Sequence, residues 1–306
     1  MGGVVSSLLF QPPTPPTYSQ MPNYFWLYTS KGEKIPAFFI NRNADLTILF
    51  SHSNAEDLGM IYDWFRDFAR QLRVNVMAYD YTGYGLNDGT PSEEHCFADI
   101  EAAWSYLTDV ADIPPEQIVL YGRSLGSGPS THLARRLSLQ AAAQRGAGLG
   151  RAHRPPLRGL ILQSPLMSAY RVAFHFRWSM PGDHFCNIDK IGDVRCPVFV
   201  LHGSEDEVVP FWHGQQLYLA AREAWRYKPF WVEGAGHNNI EFLCRDDGRF
   251  HARLREYLNF LRDRQRKEAA AEAAEAAEAA AGGGAQASAA AGQAAVADAA
   301  PPRAPR

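Results

Sequence analysis

The feature that most constrains this chain is a serine set between two glycines directly after an apolar run. Residues 118–121 are apolar, and they lead into Gly122-Arg123-Ser124-Leu125-Gly126 and then into a segment of helix formers. Gly-x-Ser-x-Gly in this setting indicates a sharp strand-to-helix turn, here called the elbow, that holds the serine in a strained conformation. Only small residues fit two positions before and after that serine. We therefore predict that Ser124 stands above a buried strand, at the positive end of a helix.

Short apolar runs and longer amphipathic segments alternate along most of the chain. The short runs predict strands, whereas segments with helical spacing of apolar residues predict helices. We expect strands at 25–28, 35–40, 46–50, 74–79, 119–121, 159–163, 197–202 and 229–232. We expect helices at 58–72, 93–110 with Ser92 as N-cap, from the elbow to about 139, and 250–266. This alternation favours an α/β fold with a mostly parallel sheet covered on both faces.

Composition excludes several classes of protein. The chain has 306 residues, a formal net charge of -3 and 46% hydrophobic residues, so it can bury a large core and is a poor match for nucleic acid. No apolar run is long enough to span a membrane. Its four cysteines form no CxxC pair, which is typical of a reducing, cytoplasmic compartment. No histidine has metal-ligand spacing, and we expect no metal or organic cofactor.

Two further segments supply what a serine nucleophile needs. A serine hydroxyl is activated by a histidine base, which is oriented in turn by a carboxylate. In this arrangement of strands and helices the chain order is Ser, then Asp or Glu, then His, each after a strand. Asp206 follows the predicted strand at 197–202, and His237 follows the strand at 229–232. We therefore predict a Ser124–Asp206–His237 triad on an α/β-hydrolase fold without a large lid domain.

Neighbouring residues leave alternatives for these assignments. Glu205 and Glu207 flank Asp206 and are alternatives for the acid. A structural role is favoured for His202, which ends the preceding strand.

Acyl transfer also requires backbone N–H groups that stabilise an oxyanion. One donor is expected to be the N–H of Leu125, directly after the nucleophile, and the other comes from the loop after the third strand. That loop covers residues 51–59, and we favour the N–H of Asn54, with Ser53 or Ala55 as alternatives. Turn formation or helix capping is the competing interpretation of Asn54.

The two ends of the chain are predicted to lie outside the catalytic domain, which we place at 18–266. Met1-Gly2 opens an M-G-x-x-x-[ST] pattern, which predicts N-myristoylation of Gly2, and the proline-rich remainder of 1–17 predicts an extended spacer. The low-complexity Ala-rich tail at 267–306 is predicted to be disordered, although its first part can extend the last helix.

Two internal segments interrupt the alternation. Residues 140–158 lack acidic side chains and predict a loop insertion away from Ser124. Residues 164–195 are too short for a separate lid domain but rich in large apolar side chains, which either roof a pocket or belong to the core. These are Tyr170, Phe174, Phe176, Trp178 and Met180.

Five segments together resemble one known family. HSNAEDLG at 52–59, DYTGYG at 80–85, GRSLG at 122–126, HGSEDEV at 202–208 and GAGHN at 234–238 are similar to motifs of the alpha/beta hydrolase domain-containing protein 17 family. The resemblance covers about 12–261. It implies a serine hydrolase that removes palmitate from cysteines of membrane-bound proteins, and it supports the same triad. It further implies S-acylated membrane proteins as partners and a peripheral position at the plasma membrane or an endosome.

Three positions depart from the family pattern. Ser53 stands where the family usually has glycine, and Arg123 where it usually has glutamine. Animal members carry an N-terminal cluster of palmitoylated cysteines, whereas this chain has no cysteine before Cys96 and offers Gly2 instead. The sequence indicates no oligomeric state.

Two other functions compete with thioester hydrolysis. A carboxylesterase or lipase acting on oxygen esters would use the same triad, so only a substrate comparison separates the two reactions. A non-catalytic, membrane-associated binding module is the alternative from another class. Such pseudoenzymes usually lack a triad residue, and here each has a candidate.

Overall fold

A computed structural model describes residues 9–147, 156–174 and 181–296, the side chains of 276–296 excepted. Gly2 lies outside the described residues, as do Phe176, Trp178 and Met180.

An eight-stranded sheet forms the centre of the fold, in the order β1-β2-β4-β3-β5-β6-β7-β8. The strands are β1 Tyr24–Tyr28, β2 Lys34–Ile40, β3 Thr47–Ser51, β4 Asn75–Tyr79, β5 Ile118–Arg123, β6 Gly159–Gln163, β7 Val198–Gly203 and β8 Phe230–Val232. β2 is antiparallel to both β1 and β4, and the remaining neighbours are parallel. The carboxyl ends of β3, β5, β7 and β8 therefore meet at one edge of the sheet.

Helices follow the parallel strands, as the alternation predicts. They are α1 Leu58–Leu72, α2 Glu93–Ser105, α3 Ser127–Gly146, α4 Ala169–Phe174, α5 Trp212–Ala220, α6 Ile240–Leu243 and α7 Arg249–Val296. A π-helical turn, Tyr106–Val110, continues α2. Ser92 caps α2 as predicted, since its Oγ accepts the N–H of His95 at 3.1 Å.

Alternating side chains of the strands feed two hydrophobic cores on opposite faces of the sheet. Ile48, Val119 and Phe199 contribute to the core beneath α1 and the first turns of α7. Leu49 and Leu120 face the other way, into the core beneath α2 and α3. The predicted α/β-hydrolase architecture, a mostly parallel sheet with helices on both faces, is confirmed.

The loop insertion predicted at 140–158 is wrong at its start. α3 continues to Gly146, because 140–145 consist of Ala, Gln and Arg, which are good helix formers. Leu157 and Arg158 are buried, and Arg158 Nε donates to the carbonyl of Glu116 at 2.6 Å. Residues 148–155 lie outside the described part of the chain.

The N-terminal segment that the sequence predicts to be a spacer makes tertiary contacts from Phe10 onward. Phe10 is 6% exposed and meets the ring of Phe185 edge-on at 6.1 Å. The N–H of Gln11 donates to Asn54 Oδ1 at 2.9 Å, and that of Thr17 donates to Asp57 Oδ2 at 2.7 Å. Proline-rich sequence disfavours helix and strand, but it does not exclude such docking, which depends on partners distant in sequence.

The chain divides into two compact units, residues 1–261 and 262–306. The last helix was predicted to end near residue 266, but α7 continues to Val296. Part of the tail predicted to be disordered is therefore helical, which agrees with the high helix propensity of its Glu-Ala-Ala repeats. Among the described residues, no helix combines the length and apolar character that crossing a membrane requires.

The segment between β6 and β7 contains α4. Two of the aromatic residues that were expected either to roof a pocket or to belong to the core lie among its described residues, and they differ in exposure. Phe174 is 59% exposed, so it does not belong to the core. Tyr170 is partly buried and meets the ring of Phe174 at 6.0 Å.

His132 makes the stability of this fold depend on pH. Its ring stacks on Phe97 at 3.7 Å, and burial together with nearby Lys190, Arg136 and Arg135 lowers its pKa from 6.5 to about 4. Because the unfolded chain binds this proton more readily, the site should lower stability as pH falls from about 6.5 toward 4. Urea unfolding at pH 7.5 and 5 should show a smaller acid loss in His132→Phe than in wild type. Equal losses would contradict this assignment.

Candidate active site

The turn between β5 and α3 has the strained geometry that the glycine pattern predicts. Ser124 has a φ of 51°, in the left-handed region that a side chain rarely adopts. A Cβ on Gly126 would collide with the carbonyl of Ser51 on the neighbouring β3, and one on Gly122 would collide with the carbonyl of Gly126. Glycine at both positions therefore lets the turn pack against β3 while Ser124 points away from the strand.

Ser124, His237 and Asp206 come together in one chain of hydrogen bonds. His237 Nε2 lies 2.9 Å from Ser124 Oγ, and His237 Nδ1 lies 2.8 Å from Asp206 Oδ2. Ser124 follows β5, Asp206 follows β7 and His237 follows β8, so the contact joins three loops at one edge of the sheet. All three residues are buried, with 5–7% of each exposed.

Asp206 is held as a carboxylate by several donors. The backbone N–H groups of Val208 and Val209 donate to Oδ1 at 3.0 and 2.7 Å, and His202 Nε2 lies 3.1 Å from Oδ2. Burial alone would raise the pKa of Asp206, but hydrogen bonds from His202 and His237 and the charge of His237 hold it well below its usual value. Asp206 therefore stays ionised at neutral pH and accepts a hydrogen bond from His237 Nδ1–H.

The other candidates for the acid and the base occupy different positions. Glu205 is exposed, and Glu207 Oε2 accepts the backbone N–H of His237 at 3.2 Å instead of meeting its ring. His202 is fully buried, and its Nε2 lies between Asp206 and the carbonyl of Val209, 2.9 Å away. This is the structural histidine that the sequence favours, and its contact with Asp206 was not predicted.

The loop between β3 and α1 carries one of the two predicted oxyanion donors. It begins at the edge of the sheet where the triad residues meet. The N–H of Ser53 donates to Glu56 Oε2 at 2.8 Å, so the geometry favours Asn54 or Ala55 over Ser53 as the donor. The Asn54 side chain holds the turn, since its Oδ1 accepts from Tyr84 Oη at 2.6 Å. Asp57, not Asn54, caps α1. Leu125 lies in the first turn after Ser124, where backbone N–H groups have no intrahelical acceptor.

A buried polar network around Asp80 contacts this loop. His52 Nε2 lies 3.4 Å from Asp80 Oδ1, and both side chains are fully buried. Asp80 also accepts the N–H of Leu58 at 3.0 Å and the hydroxyl of Tyr18. Burial raises the pKa of Asp80, although its bonds to His52 and Tyr18 oppose that shift. The network ties the loop to the end of β4 and to the N-terminal segment.

A cavity of about 310 Å³ adjoins the site on the α1 side of the sheet. Its wall includes Arg123 and Asn238, the neighbours in sequence of Ser124 and His237, together with Glu56 and Trp64. Within the described part of the chain, no three His, Cys, Asp or Glu side chains are grouped as around a metal ion.

Comparison with known proteins identifies relatives over most of the chain. Residues 48–254 match the model of the alpha/beta hydrolase family. The human alpha/beta hydrolase domain-containing protein 17B is 39% identical over 238 residues, which cover 77% of this chain and 74% of that protein. The mouse alpha/beta hydrolase domain-containing protein 17C is 38% identical over 238 residues, with coverages of 77% and 67%.

Solved structures share the fold at much lower sequence identity. An esterase from Pyrococcus furiosus is 14% identical with a TM-score of 0.64, covering 82% of this chain and 97% of its own. Mouse alpha/beta hydrolase domain-containing protein 10 is 19% identical with a TM-score of 0.56, with coverages of 78% and 99%. The relatives that are 38–39% identical show that the chain belongs to the alpha/beta hydrolase domain-containing protein 17 family, in agreement with the sheet order and the elbow.

Proposed function

We propose that this protein is a serine hydrolase that cleaves acyl thioesters, and that its substrates are S-palmitoylated proteins at membranes. One observation carries the hydrolase part of the proposal, the continuous chain of hydrogen bonds from Ser124 Oγ through His237 to Asp206. The preference for thioesters follows from the resemblance to the alpha/beta hydrolase domain-containing protein 17 family.

The geometry supplies a general base for the first step. With its proton on Nδ1 directed at Asp206, His237 presents the Nε2 lone pair to the Ser124 hydroxyl. Nε2 takes the hydroxyl proton as Oγ attacks the thioester carbonyl carbon, and Asp206 stabilises the resulting imidazolium. Because Asp206 remains ionised, the histidine is held in the tautomer that this step requires.

The tetrahedral intermediate then collapses to an acyl-enzyme. The N–H groups of Leu125 and Asn54 are the proposed donors to its oxyanion. The carbon–sulfur bond breaks, and His237 returns its proton to the departing cysteine thiolate. Water attacks the Ser124 ester with His237 again as the base, which releases the fatty acid and restores the serine. No metal or organic cofactor takes part in this scheme.

Labelling by a fluorophosphonate probe tests the nucleophile. Wild type should be labelled and Ser124→Ala should not, because no other serine is hydrogen-bonded to His237 Nε2 in the described residues. Hydrolytic kcat should fall by a factor on the order of 10⁶, as in another triad hydrolase that lost its serine. Ser105→Ala, which changes an exposed serine at the end of α2, is the matched control and should label like wild type. Labelling that persists without Ser124 would refute the assignment.

A panel of matched substrates tests the preference for thioesters. We expect a higher kcat/KM for an S-palmitoyl peptide than for the corresponding O-palmitoyl serine peptide, with Ser124→Ala inactive on both. Acyl chains of several lengths on the same peptide would define the chain preference. Higher kcat/KM for the oxygen esters would instead establish a carboxylesterase or lipase. A wild-type protein inactive on both classes would point to a non-catalytic binding module.

Membrane attachment through Gly2 is part of the proposal, with a cytoplasmic protein bound peripherally as the expected outcome. Gly2→Ala should move the protein from the membrane fraction to the soluble fraction and abolish incorporation of a myristate analogue. Gly3→Ala preserves the acceptor and is the matched control. Because one myristoyl chain binds membranes only weakly, partial release from membranes is also expected for wild type at low membrane concentration. An unchanged distribution of Gly2→Ala would exclude myristoylation as the anchor.

A further inference from the structure

The residue before the nucleophile forms an ion pair with the loop that carries the proposed oxyanion donor. Arg123 is the last residue of β5, and its Nη1 lies 2.9 Å from Glu56 Oε1. The two side chains are 17% and 14% exposed, so the pair is shielded from water far more than the ion pairs on α1. Burial alone would lower the pKa of Arg123, but the charges of Glu56 and Glu241 and the nearby Tyr121 raise it.

Glu56 uses its second oxygen to hold the backbone of its own loop. Its Oε2 accepts the N–H of Ser53 at 2.8 Å, directly before Asn54. One carboxylate thus joins Arg123 to the loop backbone, and the guanidinium joins the carboxylate to the strand that ends at Ser124. Because both oxygens are engaged, a shift of the Arg123 side chain is transmitted to the His52–Ser53 peptide, one residue before Asn54.

Arg123 also interacts electrostatically with Tyr121 and Glu241, which belong to a second polar network. Tyr121 donates to Gln163 Oε1, and Gln163 Nε2 donates to Glu241 Oε1 at 2.7 Å. Glu241 lies on α6, which begins directly after the His237 loop. Arg123 therefore interacts with acidic groups of the oxyanion loop and of the segment after His237.

We propose that Arg123 is a positioning residue that, through Glu56, sets the distance between Ser124 Oγ and the oxyanion donor of the β3–α1 loop. The inference rests on the proposed serine-hydrolase function. Arg123 touches no reacting atom in this scheme. Displacement of a catalytic group by about 1 Å can cost about 100-fold in rate, so a side chain that fixes this distance has a kinetic effect.

Kinetics of four variants test the proposal on the full-length protein. Glu56→Gln keeps the side-chain shape and removes the charge, whereas Arg123→Gln shortens the side chain and removes the guanidinium. The double variant and Arg123→Lys complete the set. We expect each of these two single changes to lower kcat by about 10- to 100-fold on a thioester substrate, where the upper end is the cost of displacing a catalytic group by about 1 Å. KM should change by less than about threefold, because substrate binding does not use the pair. The double variant should lose no more than the worse single variant, since both changes break one interaction.

Two further readouts separate positioning from general destabilisation. The rate constant for fluorophosphonate labelling should fall with kcat, because the phosphoryl oxygen must enter the same oxyanion site. Arg123→Lys should recover part of kcat by restoring the charge. Arg136→Gln, which breaks the ion pair of Arg136 with Glu101 between α2 and α3, is the matched control. Its kcat and labelling rate should equal those of wild type, even if its Tm falls.

Several outcomes of these measurements would contradict the proposal. Unchanged kcat in both single variants would show that the pair does not position the site. An increase in KM at constant kcat would make the cavity beside Arg123 a substrate-binding surface instead. Multiplicative losses in the double variant, or losses that disappear once activity is corrected for the folded fraction, would also refute it. If Arg123→Gln does not fold, the outcome of Glu56→Gln decides. Failure of wild type to label would instead refute the underlying hydrolase function.

Discussion

The close approach of the elbow to β3 is the constraint on which the candidate site depends. Ser124 keeps a left-handed backbone conformation, which costs on the order of 1–3 kcal/mol and persists only when the surroundings impose it. Here Gly122 and Gly126 leave no room for a Cβ, so the turn packs directly on the end of β3. The atoms that this turn meets belong to Ser51 and His52, where the β3–α1 loop that carries Asn54 begins.

The electrostatics of the site depend on a carboxylate that the fold keeps charged. Asp206 is buried, which disfavours ionisation, yet two histidines and two backbone N–H groups donate to it. A negative charge fixed beside His237 Nδ1 stabilises the imidazolium that forms when Ser124 loses its proton. Arg123 and Glu56 form a second, separate charge pair at the same edge. Asp206 thus supports the base His237, and we propose that the Arg123–Glu56 ion pair supports the position of the oxyanion loop.

Most elements whose formation is local were predictable, whereas contacts that depend on distant partners were not. α1 was predicted with its observed bounds, because its apolar residues repeat at helical spacing and Asp57 caps it. The docking of Phe10 and Gln11 against Phe185 and Asn54 was missed, because no local pattern links residues so far apart in sequence. The extension of α3 to Gly146 was underestimated because glycine and arginine around it resemble a loop in composition.

The sequence by itself determined the fold class and the chemical types at the site. The strand and helix periodicities and the glycines around Ser124 are local patterns. The chain order of Ser124, Asp206 and His237 can also be read directly from the sequence. Only the tertiary structure showed that Asp206, the acid that the sequence favours, meets His237 Nδ1 while Glu207 binds the His237 backbone, because this depends on how the β7 and β8 loops meet. It also decided what surrounds Arg123. The sequence shows an unpaired charge beside the nucleophile, whereas the parallel pairing of β3 with β5 places Glu56 within reach of it.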